Sequence, residues 1–170
     1  MTPQEIIKQL EKNRAIFEIL LKGLTEEEYL WKQHSDKWCM LEIVRHLIDE
    51  ENEDWRKRTK HILEQPKNSF DPIDPVGWVK ERAYLSKDYN ESVIEFLSER
   101  TTSLNWLKSL DQPNWQNVHQ HPHFGPMTAM KFLSNWGAHD FLHIKQISRL
   151  KYDYLSATTG EDISYAGEWK

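Results

Sequence analysis

The chain has 170 residues, with 22 Lys plus Arg against 27 Asp plus Glu and a formal net charge of −5. That length suits one domain with a sizeable core, and the acidic balance argues against a nucleic-acid partner, which calls for a clustered basic face. No run approaches the roughly 18 apolar residues of a membrane span, and the lone cysteine, Cys39, excludes an internal disulfide and fits a reducing cytoplasm.

The chain opens on Thr2-Pro3-Gln4-Glu5, a capping box with proline at the first helical position. Ile6, Leu10, Phe17, Leu20, Leu21 and Leu24 follow at helical steps, with Gly23 as a stop. Glu5, Lys8, Glu11, Lys12 and Arg14 are interspersed among them, unlike a secretory signal. Thr25 to Glu28 is a second capping box. A long helix is predicted from about Met40 to Leu63, with Ile43, Val44, Leu47, Ile48, Trp55 and Ile62 on its apolar stripe and Pro66 beyond its end. Residues 68–77 read as a loop, followed by a short helix from Val76 to Leu85. The next helix covers about Asn90 to Leu110, and Arg100 shares its apolar face, where a buried guanidinium needs a carboxylate. Residues 111–126 read as a second loop, and the last helix is predicted from Pro126 to Leu150. The aromatics of residues 151–170 predict a packed C-terminal tail on a single domain spanning 1–170. Four amphipathic helices of about 20 residues predict an all-α four-helix bundle with long loop connections.

His139 and His143 carry most of the chemical information. Four residues apart on a helix, two imidazoles share a face and both reach one ion. They also continue the apolar stripe between Trp136 and Ile147. A buried pair satisfied by hydrogen bonds is the competing reading. A third ligand would come from a facing helix, where His46 lies at the edge of the stripe; by position alone it reads as a half-exposed surface histidine, and its place on a long facing helix is what favours it as a ligand. His61 reads as a partner of its helix C-terminus. His119, His121 and His123 form a rival cluster in a loop, better suited to the mouth of a pocket. The acidic run from Asp49 to Asp54 reads as a solvated face, although Asp49 and Glu50 lie within a turn of His46, placed to act as general base or to hold the histidine. Cys39 precedes Met40-Leu41-Glu42 and reads as a cap or packing residue, not a nucleophile.

Trp38 with Glu42-Ile43-Val44-Arg45-His46-Leu47 and Asp49, then His139-Asp140-x-x-His143-Ile144-x-Gln146-Ile147, resembles the DinB-like superfamily. So do Glu99-Arg100 with Trp106-Leu107, Phe124-Gly125-Pro126 and the terminal Tyr165-Ala166-Gly167-Glu168-Trp169. This family is distinct from the lesion-bypass polymerase of the same name. Cys39 departs from it, since related sequences often have Ser or Thr there. The resemblance implies a four-helix bundle with a divalent metal, zinc or nickel, held by His46, His139 and His143. It also implies thiol S-transferase-like chemistry with a low-molecular-weight thiol cosubstrate, as in members using bacillithiol, mycothiol or glutathione, or isomerising maleylpyruvate.

Three imidazoles leave coordination positions open, the pattern of a catalytic ion. The sequence therefore predicts a cytoplasmic, metal-dependent enzyme acting on a small-molecule substrate held near Trp136 and residues 111–125. A non-catalytic metal-binding or interaction protein and a metal-dependent hydrolase are the alternatives. Ile16 and Ile19, beside the main stripe of the first helix, predict a homodimer.

Overall fold

Thr2 and Thr25 each close a capping box. Thr2 Oγ1 accepts from the Glu5 amide at 3.2 Å while the Glu5 carboxylate accepts from the Thr2 amide at 2.7 Å, and Thr25 and Glu28 repeat the exchange. These start α1 (Pro3–Leu21) and the short α2 (Glu26–Leu30). The computed structural model describes residues 1–167 and 169. Glu168, part of the terminal motif, and Lys170, the end of the predicted tail, lie outside the described residues.

The long helix predicted from Met40 is continuous but not uniform. It runs as α3 (Met40–Asp49), passes through a π-helical segment (Glu50–Arg56), and resumes as α4 (Lys57–Glu64). The wider π turn shifts the phase of the helix, and such insertions recur at functional sites. The predicted short helix is reduced to α5 (Trp78–Glu81) and a 3₁₀ turn (Tyr84–Ser86), and α6 (Tyr89–Ser109) starts on an Asp88 cap.

Residues 111–126 are not simply a loop. They hold β1 (Val118–His121) and the start of β2 (Gly125–Thr128), an antiparallel hairpin that pairs Val118 with Thr128 and His121 with Gly125 and takes the first residues of the helix predicted from Pro126. Gly125 takes φ +66°, a left-handed conformation that suits glycine at the turn. Two four-residue strands are too short to show a period-two pattern in sequence. The last helix, α7 (Ala129–Thr159), starts on Thr128, whose hydroxyl accepts from the Lys131 amide at 2.9 Å. It continues nine residues past the predicted end, to Gly160 at φ +66°. Residues 151–159 are thus helix. Beyond them, Trp169 lies against Tyr152 at 5.4 Å between ring centroids, while Tyr165 is fully exposed.

The bundle is formed by α1, the α3–π–α4 helix, α6 and α7. α1 packs between α6 and α7, and the composite helix closes the ring against the same two. Its core is divided. One apolar cluster holds Phe17, Leu47, Ile48, Phe96, Leu97 and Ile147; the other holds Leu10, Trp55, Leu104, Phe132 and Trp136. Between them, at the same height on every helix, lie Asn13, Glu51, Arg100 and Asp140, all essentially inaccessible to solvent. Among the described residues no helix is long and apolar enough to cross a membrane.

Candidate metal centre

His46 sits on α3 and His139 and His143 lie one turn apart on α7. One ligand atom from each lies within 4.8 Å of the others, and among the described residues this is the one such group of His, Cys, Asp or Glu. The His139 and His143 rings face each other with Nε2 atoms 3.0 Å apart. The His143 Nδ1–H donates to the Gln146 side-chain carbonyl at 2.8 Å, which leaves its Nε2 with a lone pair. His46 is buried beneath Trp38, at 4.9 Å between rings, and its Nδ1 has no hydrogen-bond partner. Its position at the stripe edge concealed this burial; Trp38 covers it from an adjoining segment.

All three imidazoles are held neutral. Burial lowers the His46 pKa to about 3 and the His139 pKa to about 2, each reinforced by His143, and burial also lowers that of His143. Three converging neutral imidazoles, of which His46 carries an orphaned buried nitrogen, fit a divalent ion. Metal-free protein should therefore lose stability as pH falls from 7 towards 5. The folded pKa values lie below the ordinary 6.5, so the unfolded chain binds more protons in this window and stability falls with pH. The loss at pH 5 should be on the order of 2 kcal/mol for each of His46 and His139. Urea midpoints in the presence of chelator check this, and a constant midpoint between pH 7 and 5 would contradict it.

Four acids of the run, Asp49, Glu50, Glu51 and Asp54, are buried, not solvated, whereas Glu53 is partly exposed. Asp49 is committed away from the histidines: it accepts from the Tyr84 hydroxyl and pairs with Arg82 Nη1 at 2.7 Å. It ties residues 78–86 to the bundle and is not brought to the cluster. Glu50 is. Its Oε2 lies 3.9 Å from His139 Nε2, and with that histidine neutral the approach is not an ion pair. Burial, then Asp54, push the Glu50 carboxyl up, and burial pushes Asp54 up, so the two favour sharing a proton. Arg58 Nη1 pairs with Asp54 at 3.3 Å. Arg58, four residues after Asp54, and Arg100 on an apolar face were the available signals for these buried acids.

Trp136, expected beside the substrate, is wholly buried and stacks on Trp55 instead. Trp55 is the residue that meets His139, at 4.9 Å between rings. The rival histidines do not form a metal set. His119 Nδ1 bonds the Pro66 carbonyl at 3.1 Å, and His121 Nδ1 accepts from the amides of His123 and Phe124. With Arg58, Phe70 and the 66–73 segment they line a cavity of about 690 Å³. The three clustered histidines do not line it, but an aromatic run joins the two places: His139 to Trp55, Trp55 to Phe132 at 5.2 Å, Phe132 to Phe70 at 6.2 Å. His61 Nε2 bonds the Asn68 carbonyl at 2.9 Å on the same side. Cys39 is buried at the start of α3, where its amide donates to Glu42 at 2.9 Å.

A family profile described as the DinB superfamily matches residues 9–147, which takes in part or all of each of the four long helices and the three histidines. The chain belongs to the DinB superfamily. A search of curated proteins finds no match. Among solved structures, this DinB-superfamily bundle is similar to YfiT from Bacillus subtilis, with a TM-score of 0.77 and 19% identity over 93% of this chain and 87% of that one. That protein is described as a probable metal-dependent hydrolase with an unusual four-helix bundle topology. At this identity the likeness establishes the four-helix bundle fold.

Proposed function

We propose that this DinB-superfamily protein is a metal-dependent enzyme of hydrolase type, in which His46, His139 and His143 hold one divalent ion and Glu50 accepts a proton from the attacking water. The observation that carries the reading is three converging neutral imidazoles beside a buried, proton-sharing carboxyl, with no fourth ligand joining the group among the described residues. A structural site would be closed by a fourth protein ligand. A bound ion would supply Lewis acidity, which acidifies a water or a thiol at neutral pH. Zinc suits this donor set first, and nickel also accepts imidazole and water.

Within the chain's own groups, Gln146 orients His143. Glu50 holds or releases the proton at Oε2, and Asp54 supports it by sharing that proton. Trp55 and Trp38 flank the histidines and exclude water from their faces. The hairpin cavity is the place for the non-reacting part of a small substrate. Arg58 lines its wall and reaches Glu50 through Asp54. The similarity to a probable hydrolase supports this reading.

Thiol transfer is the second reading, favoured by the family resemblance and by the same open ligand set. Its thiol must come from a cosubstrate, because burial pushes the Cys39 thiol up to about 11. One experiment separates the two. The zinc- or nickel-loaded protein is screened against ester, amide and electrophile panels with and without small thiols, alongside cobalt-substituted protein. Thiol-independent turnover, lowered about 100- to 10,000-fold in Glu50→Gln with metal stoichiometry unchanged, is the expected result. Thiol-dependent turnover with a sulfur-to-cobalt charge-transfer band selects the second reading. Stoichiometric metal with neither activity supports a binding role.

A cytoplasmic location remains a proposal resting on the single unpaired cysteine. A homodimer is also proposed: Ile19 is 79% exposed on α1, near the partly exposed Ile16. Light scattering should return twice the 20.4 kDa chain mass, and a monomer at micromolar concentration decides against it.

A further inference from the structure

The polar layer that divides the core is built around one cation. Arg100 on α6, 1% exposed, donates through Nε to both oxygens of Glu51 at 2.9 and 3.0 Å. Its Nη1 and Nη2 form a two-pronged pair with Asp140 at 2.7 and 2.8 Å. Asn13 on α1 donates Nδ2 to the same Asp140 carboxylate at 3.0 Å, and Gln9 Nε2 holds the Asn13 oxygen at 2.8 Å. Every helix of the bundle therefore contributes a side chain to one hydrogen-bonded knot.

Stability alone explains this knot poorly. Two carboxylates and one guanidinium lose hydration on burial, and replacing such a set by apolar residues of similar volume is often neutral or stabilising. What the knot has that apolar stripes lack is a single geometry. Leucine-rich faces can rotate or slide with modest loss, whereas a forked guanidinium–carboxylate pair accepts one arrangement. The placement of its two acids is telling. Glu51 directly follows Glu50, and Asp140 directly follows His139. A rotation of one residue, about 100° on a helix, would carry either neighbour off the cluster.

We propose that Arg100, with Glu51, Asp140 and Asn13, is the positioning device of the metal centre. It locks the π-helical segment to α7 so that Glu50 and His139 converge and the three imidazoles share one focus. The inference rests on the metal-centre reading above. None of the four residues is a ligand; they act through the backbone of the residues beside them.

The test replaces the whole knot by apolar side chains: Asn13→Leu, Glu51→Met, Arg100→Met and Asp140→Leu together. Thermal unfolding of metal-free protein reads stability. Zinc competition with a chromophoric chelator and the cobalt ligand-field spectrum read the centre. Nuclear Overhauser contacts between the Trp55 and His139 rings, 4.9 Å apart between centroids, read its geometry without any metal. The expected result is a folded protein with unchanged or raised melting temperature, zinc affinity weakened about 10- to 100-fold, an altered cobalt spectrum and a lost Trp55–His139 contact. A folded variant with parental affinity, spectrum and ring contact would overturn the proposal and leave the knot a packing feature. Should the fourfold variant not fold, Arg100→Lys keeps the charge and removes the fork. Parental zinc affinity and ring contact in that variant overturn the proposal equally, and loss of both supports it. Failure of the metal reading itself would show separately, as absence of stoichiometric zinc in the parent protein, and the metal-free ring contact would still decide the positioning role.

Discussion

Replacing His139 and His143 together by alanine should abolish stoichiometric binding of a divalent ion. The two rings present Nε2 atoms 3.0 Å apart from successive turns of α7, and His46 alone, from α3, offers one ligand. Each single substitution should weaken binding by more than the 10- to 100-fold expected from losing an outer hydrogen-bond partner. Gln146→Ala supplies that comparison, since it leaves every ligand in place and removes the acceptor of the His143 Nδ1–H. The metal-free double variant should fold, because it removes one buried and one partly buried imidazole whose Nε2 atoms had no better partner than each other. Metal analysis after dialysis reads the outcome, and full retention of metal in the double variant would sink the assignment.

Removing Asp140 alone should be among the most damaging single changes in the chain. Asp140→Ala takes two charge-assisted bonds from Arg100 and one from Asn13, all without access to water. Breaking a buried pair costs about 3–5 kcal/mol because the remaining charge stays uncompensated. Against a total stability of roughly 5–15 kcal/mol, that loss is severe. Lys108→Ala gives the contrast. Its pair with Glu11, at 2.7 Å, leaves both side chains about half exposed, where such pairs are worth about 0–1 kcal/mol. Urea unfolding of the two variants should separate them by at least about 2 kcal/mol, and similar midpoints would show that the central network is solvated in solution.

The all-α bundle was legible because its signals are local. Capping boxes at Thr2 and Thr25 and stripes such as Ile43, Leu47 and Ile62 need only neighbours within a turn or two. Spacing also placed His139 beside His143, since four residues on a helix bring two side chains to one face whatever surrounds them. Arg100 announced its need for a carboxylate by lying on an apolar face.

Which carboxylates answered was decided only in three dimensions. Asp49, Glu50, Glu51 and Asp54 look alike as sequence, where an acidic run reads as solvated. The π-helical segment alters their phase, and partners distant in sequence then sort them: Arg82 and Tyr84 draw Asp49 away, Arg100 takes Glu51, and Glu50 is left beside His139. The burial of His46 under Trp38, the hairpin around His119 and His121, and the cavity they line with Arg58 have the same origin. Periodicity reports which face of a helix is apolar, because that follows from backbone geometry. The charge state and partner of a polar group depend on desolvation by segments tens of residues away, and that information exists only once the chain has packed.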